Sequence, residues 1–229
     1  CGVNLITFYD DLFVASRKRL RELADILDQR GLIGKVEFSC SSLSHLVNDE
    51  IAAVMARMGM TYVALGLESG NPRVLEIHKG PAVSVEKNAK AIATLNKHGI
   101  QVNATFMIGA PDETLDEIMD TYNFIKRNPF NYLSIFLVTP VPGTPLWEHA
   151  MQRGLVSYDM DWSALNINFE KNREGAIVLS EILSREELWR LHQKFRRLRF
   201  WKNVQGLPTN PMIVDLHRVT YNYVREKVF

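Results

Sequence analysis

Short apolar runs and helical stripes alternate along the first two-thirds of the chain. Val3 to Tyr9 (VNLITFY) is β-branched and aromatic and stops at Asp10-Asp11, which predicts a strand. Ser16 is a good N-cap for a helix with Leu20, Leu23, Ile26 and Leu27 aligned and Gly31 as its stop. Val36 to Ser39 reads as a second strand, ending in Cys40, Ser41 and Ser42. Asn48 then caps a helix carrying Ile51, Val54, Met55 and Met58, closed by Gly59. Thr61 to Leu67 is the third strand. A short helix near Arg73 to Ile77 follows, then a longer one after Ser84 with Val85, Ala89, Ile92 and Leu95 aligned and Gly99 ending it. Ile100 to Ile108 gives the fourth strand. Thr114-Leu115-Asp116-Glu117 has the form of a capping box and starts a helix with Leu115, Ile118, Tyr122 and Ile125 as its buried stripe. That helix must end before Asn128-Pro129, because the residue preceding proline is biased away from helix. Tyr132 to Val138 is the fifth strand, and Thr144-Pro145 opens a helix that stops at Gly154.

Strands therefore recur near positions 5, 36, 62, 101 and 133. This spacing is close to the roughly 30 residues of a βαβ unit, so the sheet is expected to be parallel with right-handed crossovers. The predicted class is α/β, a partial (βα) barrel of about five parallel strands with outer helices and further C-terminal helices. Residues 1–154 form the expected barrel core, its first βα unit lying upstream; residues 155–229 form an excursion and helices packed on it. Leu155 to Leu183 is less periodic and contains Asp159, Asp161, Trp162, Asn166 and Asn168, which suits a long excursion over the ligand face. Ser184 to Glu187 is a second capping box, opening a helix with Leu188, Leu191, Phe195 and Leu198 at helical spacing. A last helix is expected over Pro211 to Lys227, after the Gly206-Leu207-Pro208 break.

Composition adds mainly exclusions. With 46% hydrophobic and 23% charged residues the chain is ordinary globular material. Lys and Arg total 27 against 26 Asp and Glu, a net charge of +1, so nucleic acid is not favoured as a bulk electrostatic partner. Lys194, Arg196, Arg197, Arg199 and Lys202 interleave with Phe195, Leu198 and Phe200 and read as the solvated face of an amphipathic helix. Only Cys1 and Cys40 are present, too few for a disulfide framework or a cysteine-rich metal site. A cytoplasmic setting is the default. No apolar run approaches the ~18 residues of a membrane span and no secretory segment opens the sequence. The start at Cys1 and the immediate entry into a strand suggest a fragment.

Candidate chemistry lies where the strands finish. Asp10 and Asp11, Ser39 to Ser42, Glu68 and Ser69, Gly109 to Asp112, and Thr139 to Thr144 would share one face at the carboxyl ends of the five strands, where α/β folds bind ligands. Glu68 is the leading functional residue. The plain alternative is that Glu68 and Ser69 only satisfy the amides of the next helix. The six histidines are scattered and none forms a metal pair at i,i+4.

Four motifs in register carry a resemblance. They are Ile6-Thr7-Phe8-Tyr9-Asp10-Asp11-Leu12-Phe13; Gly66-Leu67-Glu68-Ser69-Gly70 with Val74-Leu75 and Lys79-Gly80; Phe106 to Thr114; and Pro140-Val141-Pro142-Gly143-Thr144-Pro145-Leu146. Over about Val3 to Met151 the chain resembles the radical S-adenosylmethionine (SAM) superfamily. It looks most like the branch whose members often carry a cobalamin-binding domain and which includes the anaerobic Mg-protoporphyrin ester cyclases. The resemblance implies an enzyme that in full length cleaves SAM reductively at a [4Fe–4S] cluster to methylate, cyclise or otherwise modify a small or cofactor-like organic substrate. It also implies a reductant such as a flavodoxin or ferredoxin, with cobalamin as an option through an upstream domain.

Residue by residue, the resemblance places Asp10 and Asp11 near the SAM ammonium and Glu68 on the ribose hydroxyls, with Ser39, Ser41 and Ser69 on the same polar rim. Met107, Ile108 and Gly109 would lie against adenine with their backbone, and Val138 to Pro140, with Thr139, would flank the ring. Lys79 matches a basic position of the family, though a helix-end charge is the simpler reading. The family's C-x₃-C-x₂-C loop is absent, and Cys1 and Cys40 have neither its spacing nor its place. No catalytic or metal-ligating residue is therefore assigned. Two alternatives stay open: a non-catalytic nucleoside- or partner-binding barrel fragment, and an unrelated α/β-barrel enzyme using Asp10, Asp11 and Glu68 as acid/base groups or metal ligands.

Overall fold

The computed structural model describes residues 3–10, 12–165, 169 and 173–206. Five strands, β1 (Leu5–Phe8), β2 (Glu37–Ser42), β3 (Met60–Glu68), β4 (Gln101–Ile108) and β5 (Tyr132–Leu137), pair in sequence order, all parallel. Helices α1 (Arg17–Gln29), α2 (Asp49–Met58), α3 (Pro72–Lys79), α4 (Val85–Lys97) and α5 (Leu115–Arg127) fill the crossovers. After β5 come α6 (Pro145–Gln152) and the long α7 (Arg185–Gly206). The predicted caps are formed: the side chains of Ser16, Asn48, Ser84 and Thr144 each accept from a backbone amide in the next helical turn. Thr114 and Glu117 make the reciprocal capping box.

The pleat sorts residues into two faces. Val63, Leu65 and Leu67 of β3, Val102, Ala104, Phe106 and Ile108 of β4, and Leu133, Ile135 and Leu137 of β5 are buried under the helices. Phe106 meets Phe124 and Phe130 edge-on, each such ring contributing roughly 2–3 kcal/mol by burial. On the other face stand Thr7, Ser39, Ser41, Tyr62, Ala64, Gly66, Asn103, Thr105, Met107, Ser134 and Phe136, none of them in the buried apolar core. A sheet face this polar is built to meet a ligand or water, and it fits the expected barrel interior.

Several expectations need correcting. Strand β2 runs on through Cys40 to Ser42, because Cys40, Ser41 and Ser42 pair with Val63, Ala64 and Leu65 of β3; those residues are sheet and not loop. Cys40 consequently points to the helical side, fully buried, and burial pushes its thiol up to about 12, so it is inert. Leu115 is exposed, and the buried stripe of α5 is Ile118, Thr121, Phe124 and Ile125. Ile26 of α1 is likewise exposed, with Ala24 taking the inward place beside Leu20 and Leu27.

Helix α7 packs its Leu188 and Phe195 into the core and covers the β5 edge. The basic cluster there is not uniformly solvated. Lys202 donates to the carbonyls of Lys126 and Asn128, capping the end of α5, and burial lowers its pKa. Lys194 sits over the Tyr122 ring. The excursion after α6 packs against the strand ends: Trp162 stacks on buried Trp147, Arg153 donates to the Leu179 carbonyl, and the Glu181 amide donates to the Pro111 carbonyl. Cys1, Asp11, Asn166, Asn168 and the helix expected over Pro211 to Lys227 lie outside the described residues.

Candidate ligand site at the strand ends

The site is built around the end of β3. Pairing of β3 with β4 slips between Gly66 and Glu68, and Glu68 takes φ +60°, the only non-glycine residue with positive φ among the described residues. A left-handed glutamate costs roughly 1 kcal/mol, and such outliers gather at functional sites. The bulge brings the Glu68 carboxylate to 2.8 Å from Lys79 Nζ, with the two side chains 12% and 26% exposed. Screening there is far weaker than for a surface pair. Lys79, read from sequence as a helix-end charge, is thus the partner of the leading candidate. Beside it His78 has Nε2 buried without a partner; burial lowers its pKa, and Glu68 acts against that shift. His78 also lines a cleft of about 430 Å³ with Ile77, Pro111 and Leu146.

The segment after Glu68 is held from two sides. Ser69 is fully buried, its hydroxyl 3.0 Å from Thr121 Oγ1 and accepting from the Asn71 amide. It faces α5, so as a member of the polar rim it is replaced by a structural role. The Gly70 amide donates to Thr121 at 2.9 Å. On the other side, buried Asn88 of α4 accepts from Ser44 and donates to the Leu67 carbonyl. Arg73 at the start of α3 makes a two-point contact with Glu117 and reaches Asp112, tying this segment to the loop after β4. The Arg73 guanidinium holds the Glu117 carboxyl down at about 2.

The loop after β4 turns on buried Glu113. Its Oε2 accepts from the amides of Gly109 (2.6 Å) and Ala110 (3.2 Å), while Oε1 has no partner. Burial pushes the carboxyl up to about 7 despite the two amides. Because the folded pKa is raised, stability from this group is fully present below about 4.5 and is lost as pH rises through about 7. The loss is expected to be about 2–3 kcal/mol across that window. Urea midpoints measured from pH 4.5 to 8 should fall in the wild type and stay flatter in Glu113→Gln; equal slopes would contradict the assignment.

Of the remaining predicted residues, Ser41 is exposed on the open face and Ser39 beside it shares a 2.7 Å hydrogen bond with Thr7. Met107 is half-buried on that face. Ile108 turns its side chain into the helical layer and gives its carbonyl to the Val138 amide. Gly109 follows with φ +86°, and Thr139 donates to the Leu137 carbonyl. Asp10 is exposed and pairs with Arg19 at 3.5 Å, away from Glu68's partners. The structure therefore brings Glu68, Met107, Gly109 and Thr139 to the carboxyl end of one face, sets Ser41 and Ser39 on that face but lower down, paired with Ala64 and Tyr62 of β3, leaves Asp10 on its border, and removes the side chains of Ser69 and Ile108 from it. Among the described residues no three His, Cys, Asp or Glu side chains converge as a metal site.

Asn88, Thr121 and Glu113 were not singled out as site-building residues from sequence, and Lys79 was read there as a helix-end charge. For two of them a signal existed. Asn88 lies three residues after Val85 and four before Ile92, and Thr121 three after Ile118 and four before Ile125, so each is a polar residue on the apolar face of its helix.

The family model described as the radical SAM superfamily matches residues 3–125, more than half of the chain. The chain belongs to the radical SAM superfamily. Among curated radical SAM relatives, an uncharacterised methyltransferase of Pyrococcus horikoshii is 34% identical over 70% of this chain and 34% of its own length. The bacteriochlorophyllide d C-12(1)-methyltransferase of Chlorobaculum tepidum is 25% identical over 89% of this chain and 43% of its own length. This radical SAM chain thus spans about a third to two-fifths of the length of these two relatives. Among solved structures, the radical SAM methyltransferase TsrM of Kitasatospora setae, with tryptophan and a SAM analogue bound, superposes with a TM-score of 0.56. That match has 17% identity over 71% of this chain and 34% of that one. It supports the fold: a partial barrel with the open sheet face and strand ends described above.

Proposed function

We propose that this chain supplies the SAM-binding face of a radical SAM enzyme that modifies an organic substrate, by methylation or cyclisation. The observation that carries the reading is Glu68, a carboxylate held in a left-handed conformation at a strand end, paired with Lys79 and facing a polar sheet surface. A carboxylate so placed accepts from vicinal hydroxyls, as acidic residues do for ribose in dinucleotide folds. Adenine would lie along the Met107 to Gly109 backbone, whose turn Glu113 fixes, with Thr139 at its border. Ser39, Ser41 and Asp10 complete the polar rim, and Asp11 follows Asp10 in sequence.

The two cofactors fit this chain differently. SAM would meet hydroxyls and the Glu68 carboxylate on the open face and at its strand ends. A [4Fe–4S] cluster, which supplies the electron for reductive SAM cleavage, does not find its ligands here: Cys40 is buried on the opposite face with its thiol pushed up to about 12. No step of cluster chemistry is assigned to these residues. Cobalamin use and a flavodoxin- or ferredoxin-like reductant belong to the same proposal and rest on the family resemblance, and a cytoplasmic setting rests on the scarcity of cysteines. The test is anaerobic reconstitution of the full-length protein with iron and sulfide, then addition of SAM and a reductant. Release of 5′-deoxyadenosine or S-adenosylhomocysteine is expected; neither product appearing would overturn the reading.

A further inference from the structure

We infer that Lys79 and Gly66 are positioning residues that set the carboxylate of Glu68 for its ligand. This rests on the reading of Glu68 as the sugar-binding group and extends it to two residues with no assigned role. Lys79 is the last residue of α3, and its Nζ lies 2.8 Å from Glu68 Oε1. Glu68 is followed by a segment anchored to Thr121, while α3 is anchored through Arg73 to Glu117. Both anchors belong to α5, so the ion pair joins two segments fixed to one helix, and it selects one direction for a side chain whose backbone is already unusual.

Gly66 supplies the space. A Cβ built there would lie 2.6 Å from Glu68 Oε1 and 3.4 Å from Lys79 Nζ. The backbone of Gly66 needs no left-handed conformation, so the absence of a side chain serves the carboxylate and not a turn. Its Cβ would meet only the flexible ends of two side chains. The fold should therefore accept alanine at this position, and the carboxylate should not keep its place.

The experiment uses the full-length protein and three probes: S-adenosylhomocysteine, adenosine and 2′,3′-dideoxyadenosine, with binding measured by calorimetry or ligand-observed NMR. Lys79→Met and Gly66→Ala are expected to weaken both hydroxyl-bearing probes about tenfold and to leave the dideoxy probe unchanged, with Lys79→Arg largely restoring affinity. Gly66→Ala should keep its thermal midpoint, which separates positioning from folding. Three outcomes overturn the inference. Unchanged adenosine affinity in both variants would do so, as would equal losses for the dideoxy probe. A loss confined to S-adenosylhomocysteine would mean that Lys79 contacts the amino-acid end directly. The underlying reading has its own control: if Glu68→Ala leaves adenosine affinity unchanged, the sugar-binding role fails; if it lowers affinity while Lys79→Met and Gly66→Ala do not, only the positioning role fails.

Discussion

Gly70→Ala is expected to destabilise the fold by about 2–4 kcal/mol, the largest stability effect of any single methyl group at the site. The new Cβ would lie 2.5 Å from Phe124 Cβ, 2.8 Å from Thr121 Cα and 3.0 Å from the Asp120 carbonyl. All three atoms belong to the backbone or first side-chain carbon of α5, so no rotamer change relieves them. Either α5 withdraws from the sheet or the segment after Glu68 lifts off Thr121. Withdrawal opens the contact of Phe124 with Phe106. Lifting breaks the 2.9 Å bond from the Gly70 amide to the buried Thr121 hydroxyl. Urea denaturation with an unchanged slope and a lowered midpoint would bear this out. A midpoint within about 0.5 kcal/mol of the wild type would contradict the packing described. The contrast with Gly66→Ala is instructive, since there the methyl meets side-chain ends.

Glu68→Ala should weaken the binding of S-adenosylhomocysteine about 10- to 100-fold in the full-length protein, as expected for losing hydrogen bonds to a charged acceptor. The same variant leaves Lys79 in a largely covered position without its partner, so Glu68→Gln is the cleaner companion. Gln keeps one carbonyl acceptor and the side-chain length but removes the charge. It should fall between Ala and wild type. If Glu68 only orients the sugar, turnover at saturating SAM should change little while the half-saturating concentration rises. A drop in saturated turnover with unchanged affinity would instead make Glu68 part of the chemical step and remove the binding role.

Much of the scaffold was readable before any coordinates. Period-two and helical patterns are set by which face of an element is buried, and strands β2 to β5 and the crossover helices are buried on one side, so they fall close to their expected places; β1 is exposed and was readable from its β-branched and aromatic composition. Caps were readable for a local reason: Asn48, Ser84 and Thr114 act on amides within three residues of themselves. Errors arose where a neighbour decides. Cys40 to Ser42 extend β2 because β3 lies alongside to accept them, and on α5 Leu115 is exposed while Thr121 is buried and holds Ser69 and Gly70. Lys202 turned from a solvated cation into a cap on α5 once α7 was laid over the β5 edge.

For the site itself the division follows the range of the forces involved. The sequence alone determined the α/β repeat, the gathering of polar residues toward strand ends, the family resemblance and the choice of Glu68 as the leading candidate, because each follows from local pattern and spacing. Tertiary structure decided that Glu68 is left-handed behind a bulge, that it pairs with Lys79 eleven positions on, that Gly66 makes room for its carboxylate, and that Ser69 belongs to the core. Those facts depend on how β3 meets β4 and how α3 and α5 dock against its end. A single strand's composition does not specify the docking of its neighbours, so they became visible only in three dimensions.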